Sequence, residues 1–239
     1  VPADTLVGLY HPWRDLYAND YPRGVPYKNF LITDPIRQQI PWRKVAVDQW
    51  KSGHMPSWNP YNFSGTSLVG NIQAAVFYPF NILFFLMNFA AAWTVLIVLQ
   101  PLLAAVFLYL YLRSNNLSPL TCLFGAVTWA FSGFMLAWLT WGTIVHVVLW
   151  LPLILMSVDK LNKNRLFWSA ILVIALVCQF FGGHAQVSLY VVLLSGLYAI
   201  WRWANFFWIL LAISIVLSSV QWVPLIGPLL ESSRLSILL

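Results

Sequence analysis

The run from residue 74 to residue 112 limits the fold of this chain more than any other feature. Its 39 positions contain no Asp, Glu, Lys, Arg or His, and further apolar stretches follow it. A helix needs about 20 apolar residues to cross the hydrocarbon core of a bilayer, and a soluble core has no room for so many such stretches. The pattern therefore predicts an all-α integral membrane protein, a polytopic helical bundle.

The apolar stretches predict about six membrane spans. Residues 74–88 are apolar too, but Pro79 and polar-tipped neighbours interrupt them, so an interfacial or re-entrant segment is expected there. Because the chain opens at Val1 without Met and stops in an apolar run, we expect a fragment that is truncated at both ends. Residues 74–239 are interpreted as the transmembrane region, with spans near residues 90–112, 119–138, 143–158, 166–181, 185–201 and 205–224.

The composition argues against several other classes of protein. Hydrophobic residues make up 60% of the chain and charged residues 8%, which is typical of membrane proteins. The net charge of +6 includes no dense basic run, which favours contact with membrane lipid and argues against a nucleic-acid partner. No His, Cys, Asp or Glu residues stand at metal-ligand spacing, so no metal and no other cofactor is predicted. Cys122 and Cys178 lie in apolar stretches and are predicted to be buried thiols.

The distribution of Lys and Arg predicts the orientation of the spans. Arg113, the 159–165 loop and Arg202 follow alternate spans, whereas residues 140–143 and 182–184 contain no Lys or Arg. Short cytoplasmic loops carry the excess of basic residues, so the first three sites are predicted to face the cytoplasm. A multi-pass protein of the cell membrane is expected, with residues 1–73 extracytoplasmic.

Residues 1–73 are interpreted as an external loop domain that carries short juxtamembrane helices. Between Pro41 and Gly53 the apolar residues have helical spacing, which predicts a basic amphipathic helix that lies flat at the headgroup level. The segment is too rich in aromatic residues for a disordered linker. These residues are Tyr10, Trp13, Tyr17, Tyr21, Tyr27, Trp42, Trp50, Trp58 and Tyr61.

Asp34 is the first candidate for chemistry. It precedes Pro35, an order that favours a helix N-cap on backbone grounds alone. It also suits a general base near the membrane surface, with Arg37 or Arg43 close enough to neutralise a phosphate. The two interpretations are compatible. Asp48, by contrast, is predicted to form a solvated ion pair with Lys44.

The histidines and the polar residues near the end of the chain are further candidates. His184 follows two glycines, so it is either a structural residue or part of a site where a ligand approaches the backbone. His146 is predicted to make a hydrogen bond between helices. Glu231 and Arg234, after Gln221 in the last span, have the spacing of a helical ion pair.

Two sequence motifs follow the predicted amphipathic helix. Residues 51–66 read KSGHMPSWNPYNFSGT, and residues 70–81 read GNIQAAVFYPFN. Together they resemble the bacterial YfhO-like membrane proteins, whose pattern reads G-x-x-P-x-W-N-P-Y-x-x-x-G and then A-N-x-Q-x-x-x-F-Y-P-x-N. The resemblance covers nearly the whole chain and departs from the family pattern at a few positions, among them Ser57, Ser67 and Gly70.

The YfhO-like proteins are similar to the GT-C superfamily of glycosyltransferases. The resemblance implies a GT-C-like enzyme that moves a sugar from a polyprenyl-phosphate-linked donor to an extracytoplasmic acceptor, a cell-envelope glycan or lipid. In that fold an acid in the first external loop is the catalytic base, and Asp34 stands at this position. The substrate-binding residues expected on this basis are Arg37, Arg43, Trp58, Asn59, Tyr61, Asn71, Gln73, His184 and Gln186.

Physical arguments also favour a lipid-linked sugar donor at an external site. An external site has no access to cytoplasmic nucleotide sugars, so a lipid-linked donor is the natural supply. The basic helix over residues 41–52 is expected to meet the donor phosphate. The aromatic faces of Trp58 and Tyr61 suit the apolar faces of a sugar ring.

Two further functions stay open from the sequence. One is a transporter or flippase of a lipid-linked saccharide, and the other is a non-catalytic subunit of a glycan-assembly complex. Ion-coupled carriers usually place ionisable groups at mid-membrane depth, and here His146 alone approaches that depth. This argues against ion-coupled transport but leaves passive flipping open.

Overall fold

The computed structural model of the protein describes residues 34–230, and this part of the chain is mostly helical. The early aromatic residues and the predicted Glu231–Arg234 pair lie outside the described residues. A π-helical turn (Pro35–Gln39) leads directly into the first α-helix. Within residues 34–230 the α-helices are α1 (Ile40–Lys51), α2 (Leu83–Leu86), α3 (Phe89–Ser114), α4 (Pro119–Ala130), α5 (Gly133–Trp138), α6 (Ile144–Val148), α7 (Leu151–Lys160), α8 (Arg165–Phe181), α9 (Ala185–Trp201) and α10 (Phe206–Leu230).

The segment between α1 and α2 is built from short turns. A two-residue strand, β1 (Trp58–Asn59), pairs antiparallel with β2 (Thr66–Ser67). 3₁₀ turns follow at Ile72–Ala74 and Pro79–Ile82. Residues 74–88 therefore form no continuous helix, which agrees with the prediction that they are not a full membrane span.

Two to three of the described helices could cross a membrane. α3 has 26 residues, and the first 22 residues of α10 (Phe206–Gly227) are also long and apolar enough. A third span results if α4 and the following residues, Gly133–Trp141, count as one helix bent by 40°.

The predicted count of six membrane spans is not confirmed, although a helix lies at each predicted position. α8 and α9 are apolar but have 17 residues each, or about 26 Å of helix, which is shorter than a hydrocarbon core of about 30 Å. The predicted span over residues 143–158 is divided into α6 and α7.

Side-chain caps explain where several helices begin. The side chain of the residue before the helix accepts a hydrogen bond from a backbone N–H in the first turn, which satisfies a donor that has no partner inside the helix. α4 and α7 begin with Pro in the first turn, where its missing N–H costs nothing, and α7 has no side-chain cap. The capping residues are Asn88 for α3, Ser118 for α4, Asn164 for α8 and His184 for α9.

α1 packs on protein along its predicted apolar face and along a neighbouring face that includes Arg43. Its buried residues are Arg43, Ala46 and Val47, whereas Trp42 and Trp50 are half-buried. Together with Val45, the two tryptophans contact a cluster that includes Leu68, Ala74 and Val76. The predicted helix is present, and the 68–76 segment covers much of its apolar face. Its position at the headgroup level stays a prediction.

Candidate functional site

The turns that contain the predicted site residues meet at one end of the helices. The Pro35–Gln39 turn contacts the turn at Leu139–Trp141. Space at Gly183 is so tight that a Cβ there would lie 3.0 Å from the Cβ of Ala75. Near the end of α10, Gln221 donates to the carbonyl oxygen of Val69 over 2.5 Å. The structure thus brings together segments that are far apart in the sequence, and we call this group of turns the turn end.

A separate group of charged residues lies at the other end of the helices. Arg202 contacts Asp159 at 2.6 Å, and the Tyr198 hydroxyl donates to the same carboxylate. Arg202 follows the last residue of α9, whereas the turn at residues 182–184 precedes the first, so about 26 Å of helix separates the two ends. Asp159 and Arg202, which are predicted to be cytoplasmic, and residues 182–184, which are predicted to be extracytoplasmic, therefore lie at opposite ends of α9.

Asp34 directly precedes the Pro35–Gln39 turn that continues into α1, and its backbone has right-handed helical angles. Pro35 follows it, as the N-cap interpretation predicts, but the Asp34 side chain makes no capping hydrogen bond. Asp34 is half-buried, and Arg37, three residues further on in the π-helical turn, is exposed. The Asp34 carboxylate is thus near a cation in the sequence and is not used to cap its own helix.

Arg43 lies deep in the protein. Only 1% of its surface is exposed, and its guanidinium donates to Oδ1 of Asn81. The Asn81 amide in turn donates to the carbonyl oxygens of Ala75 and Val76, at 2.8 and 3.1 Å. Burial lowers the pKa of Arg43 to about 10, while Tyr78 acts in the opposite direction, so the group is still a cation at neutral pH. The sequence placed Arg43 on a basic surface that meets a phosphate, but its side chain is not available at the surface.

Gln39 extends this buried cluster towards Asp34. Its amide donates to Oε1 of Gln73 over 2.6 Å, and Asn71 caps the next turn by accepting from the backbone N–H of Gln73. Within residues 34–230, Oε1 of Gln39 and Nε of Arg43 are buried without a hydrogen-bond partner. Asn71 and Gln73, both predicted site residues, therefore lie close to the segment that carries Asp34.

Tyr78 and His146 connect the turn segment to two helices. The Tyr78 hydroxyl lies 2.8 Å from Nδ1 of His146, and Nε2 of His146 lies 3.1 Å from the carbonyl oxygen of Leu96 in α3. A carbonyl only accepts, so Nε2 carries the proton, Nδ1 accepts, and Tyr78 donates. The prediction that His146 makes a hydrogen bond between helices is confirmed. Tyr78 and Asn81 were not predicted as site residues, although both stand inside the F-Y-P-x-N motif.

Trp58, Asn59 and Tyr61 lie at the far end of α1 from Asp34. Asn59 is buried and accepts from the backbone N–H of Tyr61 over 3.0 Å, which is a local turn contact. Gln49 donates to the carbonyl oxygen of Trp58, and some 15 helical residues, about 20 Å, separate Gln49 from Asp34. The structure does not bring this predicted sugar-binding group together with the predicted base.

Tyr61 lies beside an open depression of about 740 Å³. Its side chain is 80% exposed and that of Trp58 is 52% exposed, so both aromatic faces remain available to a ligand. The depression is also lined by Asp48 and His54. The predicted ion pair of Asp48 with Lys44 is present at 2.6 Å, and it is exposed.

His184 and Gln186 have local roles in the structure. Nδ1 of His184 accepts from the backbone N–H of Val187 at 3.3 Å and caps α9. Burial lowers the pKa of His184, and a hydrogen bond to its own backbone acts in the opposite direction. Gln186 is exposed and donates to the Tyr190 hydroxyl over 2.6 Å. The structural interpretation of His184 is thereby supported, and its position at the turn end leaves a contact with a ligand open.

Among residues 34–230 no group of three or more His, Cys, Asp or Glu side chains is placed to hold a metal ion. The groups at the turn end that could act on a ligand include the acid Asp34, the exposed Arg37, the half-buried His184 and several amides. No protein-family model, curated protein or solved structure matches this chain.

Proposed function

We propose that this chain is a membrane glycosyltransferase that moves a sugar from a polyprenyl-phosphate-linked donor to an extracytoplasmic acceptor. The observation that carries the proposal is the half-buried acid Asp34, three residues before the exposed Arg37 in the turn that leads into α1. An acid that can take a proton and a cation that can neutralise a phosphate are the two groups this transfer needs. The motifs at residues 51–66 and 70–81 support the same choice.

The proposed reaction is a displacement at the anomeric carbon of the donor sugar. The acceptor hydroxyl oxygen attacks this carbon while Asp34 removes the hydroxyl proton. The bond between the anomeric carbon and the phosphate oxygen breaks, and polyprenyl phosphate leaves with the bonding electron pair. Arg37 neutralises the charge that develops on the leaving phosphate. A general base of this kind contributes about 10²–10⁴-fold to the rate.

Arg37 and Arg43 have different proposed roles, because Arg37 is exposed and Arg43 is buried. Arg37 is exposed and can contact a phosphate directly, whereas Arg43 is held by Asn81 inside the protein. We assign Arg43 to a positioning role: with Gln39 and Gln73 it fixes the helical segment that presents Asp34. Residues that fix a reactive group in this way affect the rate through geometry.

A lipid-linked donor fits the position of this acid. Its helical segment contacts the turn at Leu139–Trp141, close to the end of an apolar helix that could form part of a span. A phosphate attached to a membrane-anchored chain would lie near the end of this apolar helix, at the bilayer surface. A water-soluble donor would have no reason to favour a site beside the bilayer surface.

The test is a transfer assay with the full-length protein in proteoliposomes. A panel of radiolabelled polyprenyl-phosphate sugars is supplied with cell-envelope glycan or lipid acceptors, and transferred label is counted. We expect Asp34→Asn to lower transfer by about a hundredfold or more, because the base is lost while shape is kept. The matched control is Asp48→Asn, an exposed acid on the same helical segment that is paired with Lys44. It should retain transfer within about twofold.

A second pair of variants tests the phosphate contact. Arg37→Ala should raise the KM for the donor, and Arg37→Lys should recover part of the loss because the charge is restored without the fork geometry. The control is Lys44→Ala, which removes an exposed cation from α1. Full activity of Asp34→Asn would remove Asp34 from the role of base. No transfer by folded wild-type protein with any donor of the panel would contradict the enzyme itself.

A further inference from the structure

A second concave site lies at the end of the molecule opposite to Asp34. It is a cavity of about 250 Å³ between the end of α7, the start of α8 and the connection from α9 to α10. Its polar lining comes from Asp159, Asn162, Arg165, Arg202 and Asn205. The proposed sugar transfer uses none of these residues.

The charges around this cavity leave an excess of cations. The Asp159 carboxylate accepts from Arg202 at 2.6 Å and from the Tyr198 hydroxyl at 2.8 Å, and 10% of its side chain is exposed. Its negative charge is thus already paired within the protein. From residue 52 to residue 230, Asp159 is the one acid, against the five bases Arg113, Lys160, Lys163, Arg165 and Arg202.

Of the two arginines that line this cavity, Arg165 is the one that is not paired with Asp159. Its guanidinium stacks on the Phe206 ring, with Cζ 3.9 Å from the ring centroid. The stacking orients the guanidinium but neutralises none of its charge. In the part of the chain that the structure describes, Arg165 forms no ion pair with a carboxylate.

An exposed tryptophan marks the rim of the cavity. α9 ends in a Schellman motif, in which Trp203 N–H donates to the Ile200 carbonyl and Ala204 N–H to the Ala199 carbonyl. Trp203 has φ of 54°, at the position where Gly is usual, and 87% of its surface is exposed. A bulky residue is disfavoured in this conformation. Packing does not explain the choice of tryptophan here, because most of its surface is exposed. Tryptophan at a helix end is typical of the membrane–water interface.

We infer that this cavity binds the phosphate-bearing headgroup of an anionic phospholipid. Arg165 and Arg202 would donate to the phosphate oxygens, Asn162 and Asn205 would hydrogen-bond the headgroup, and Trp203 would lie among the acyl–headgroup boundary atoms. The leaflet is the one at the end predicted to be cytoplasmic, where anionic lipids attract basic residues. This site is independent of the proposed sugar transfer, which takes place at the other end.

The test measures lipid retention by the full-length protein. The protein is purified in mild detergent, phosphatidylglycerol or phosphatidylcholine is added, and bound lipid is counted by native mass spectrometry. We expect phosphatidylglycerol to bind more tightly than phosphatidylcholine. Arg165→Gln should weaken phosphatidylglycerol binding by about fivefold, which corresponds to about 1 kcal/mol for one basic residue at a lipid surface.

Two matched variants separate the cavity from general surface charge and from folding. Arg113→Gln removes a positive charge at the same end from an arginine that does not line the cavity, so binding should stay within about twofold. Trp203→Gly relieves the left-handed backbone strain, so the protein should unfold at the same or a higher temperature while it retains less lipid. Equal losses for Arg113→Gln and Arg165→Gln would overturn the inference. So would displacement of the lipid by millimolar glycerol phosphate, because a soluble phosphate would then be the ligand.

Discussion

The Tyr78 hydroxyl donates to Nδ1 of His146 over 2.8 Å, although the two residues are 68 positions apart. Tyr78 is 1% exposed and lies in the segment between the 3₁₀ turns, whereas His146 is fully buried in α6. Because His146 also donates to the Leu96 carbonyl, this one imidazole joins the turn segment, α6 and α3. The turn segment, which the sequence predicts to be interfacial or re-entrant, is therefore anchored by a buried polar contact.

Replacement of Tyr78 tests this anchor. Tyr78→Phe keeps the ring but leaves Nδ1 of His146 buried without a donor, which costs about 1–3 kcal/mol of the free energy of unfolding. The measurement is denaturant unfolding of the purified protein in detergent, followed by tryptophan fluorescence. Tyr61→Phe removes a hydroxyl from an 80% exposed side chain and is the control. Equal stability of the two variants would show that the Tyr78–His146 contact contributes nothing.

Arg43 and Asn81 should respond unequally to mutation. Asn81→Leu leaves a buried cation without its hydrogen-bond partner and also frees two backbone carbonyls, so we expect a loss of about 3–5 kcal/mol. Arg43→Met removes the buried charge itself and leaves a neutral amide oxygen, at a cost of about 1–3 kcal/mol. The double variant should lose less free energy of unfolding than the sum of the two single losses. The measurement is a double-mutant cycle of unfolding free energies. A larger loss for Arg43→Met would mean that the cation, and not its partner, supplies the stability.

The predicted spans over residues 90–112, 166–181 and 185–201 agree with α3, α8 and α9 to within two residues, because apolar runs and the signals at helix starts are local. Asn88, Ser118 and Asn164 each cap a helix through a backbone N–H three residues ahead, so a short window contains the whole interaction. The grouping of basic residues at one end likewise follows from the order of loops. What these signals do not decide is whether a 17-residue apolar helix crosses the bilayer, since that depends on tilt and on neighbouring helices.

The buried polar cluster could not be predicted from local patterns. Arg43 faces inward because Asn81, 38 positions later, supplies its hydrogen bond, and no periodicity in α1 reports this. Gln221 and Val69 are 152 positions apart. Helical spacing indicates the apolar face of α1 that packs on the 68–76 segment, but it does not indicate the burial of Arg43, because a hydrophobicity pattern assigns an arginine to the surface.

His184 predicts a pH dependence of stability. Burial lowers its pKa in the folded protein, so below about pH 6.5 the unfolded chain binds more protons at this residue than the folded one. The contribution of neutral His184 to the free energy of unfolding is therefore fully present above pH 6.5 and is lost as the pH falls below it. Protonation of Nδ1 also removes the acceptor that caps α9. His184→Asn keeps a capping acceptor and should remove this part of the dependence. The measurement is unfolding free energy at pH 7.5 and pH 5, with the exposed His54→Asn as the control. An unchanged pH slope in His184→Asn would exclude the histidine as its source.

Gly183 should not tolerate a side chain. Its φ is +97°, and a Cβ there would lie 2.9 Å from the Thr143 side chain as well as 3.0 Å from Ala75. Gly183→Ala must therefore push the 182–184 turn away from the Ala75 turn, in addition to about 1–2 kcal/mol of left-handed backbone strain. We expect a total loss of about 2–4 kcal/mol in unfolding free energy and, if the turn end is the transfer site, a loss of transfer activity. Gly133→Ala, at the first position of α5 with open space around it, should change stability by less than about 0.5 kcal/mol. Stability of Gly183→Ala within the range of that control would show that the two turns do not pack as closely as described.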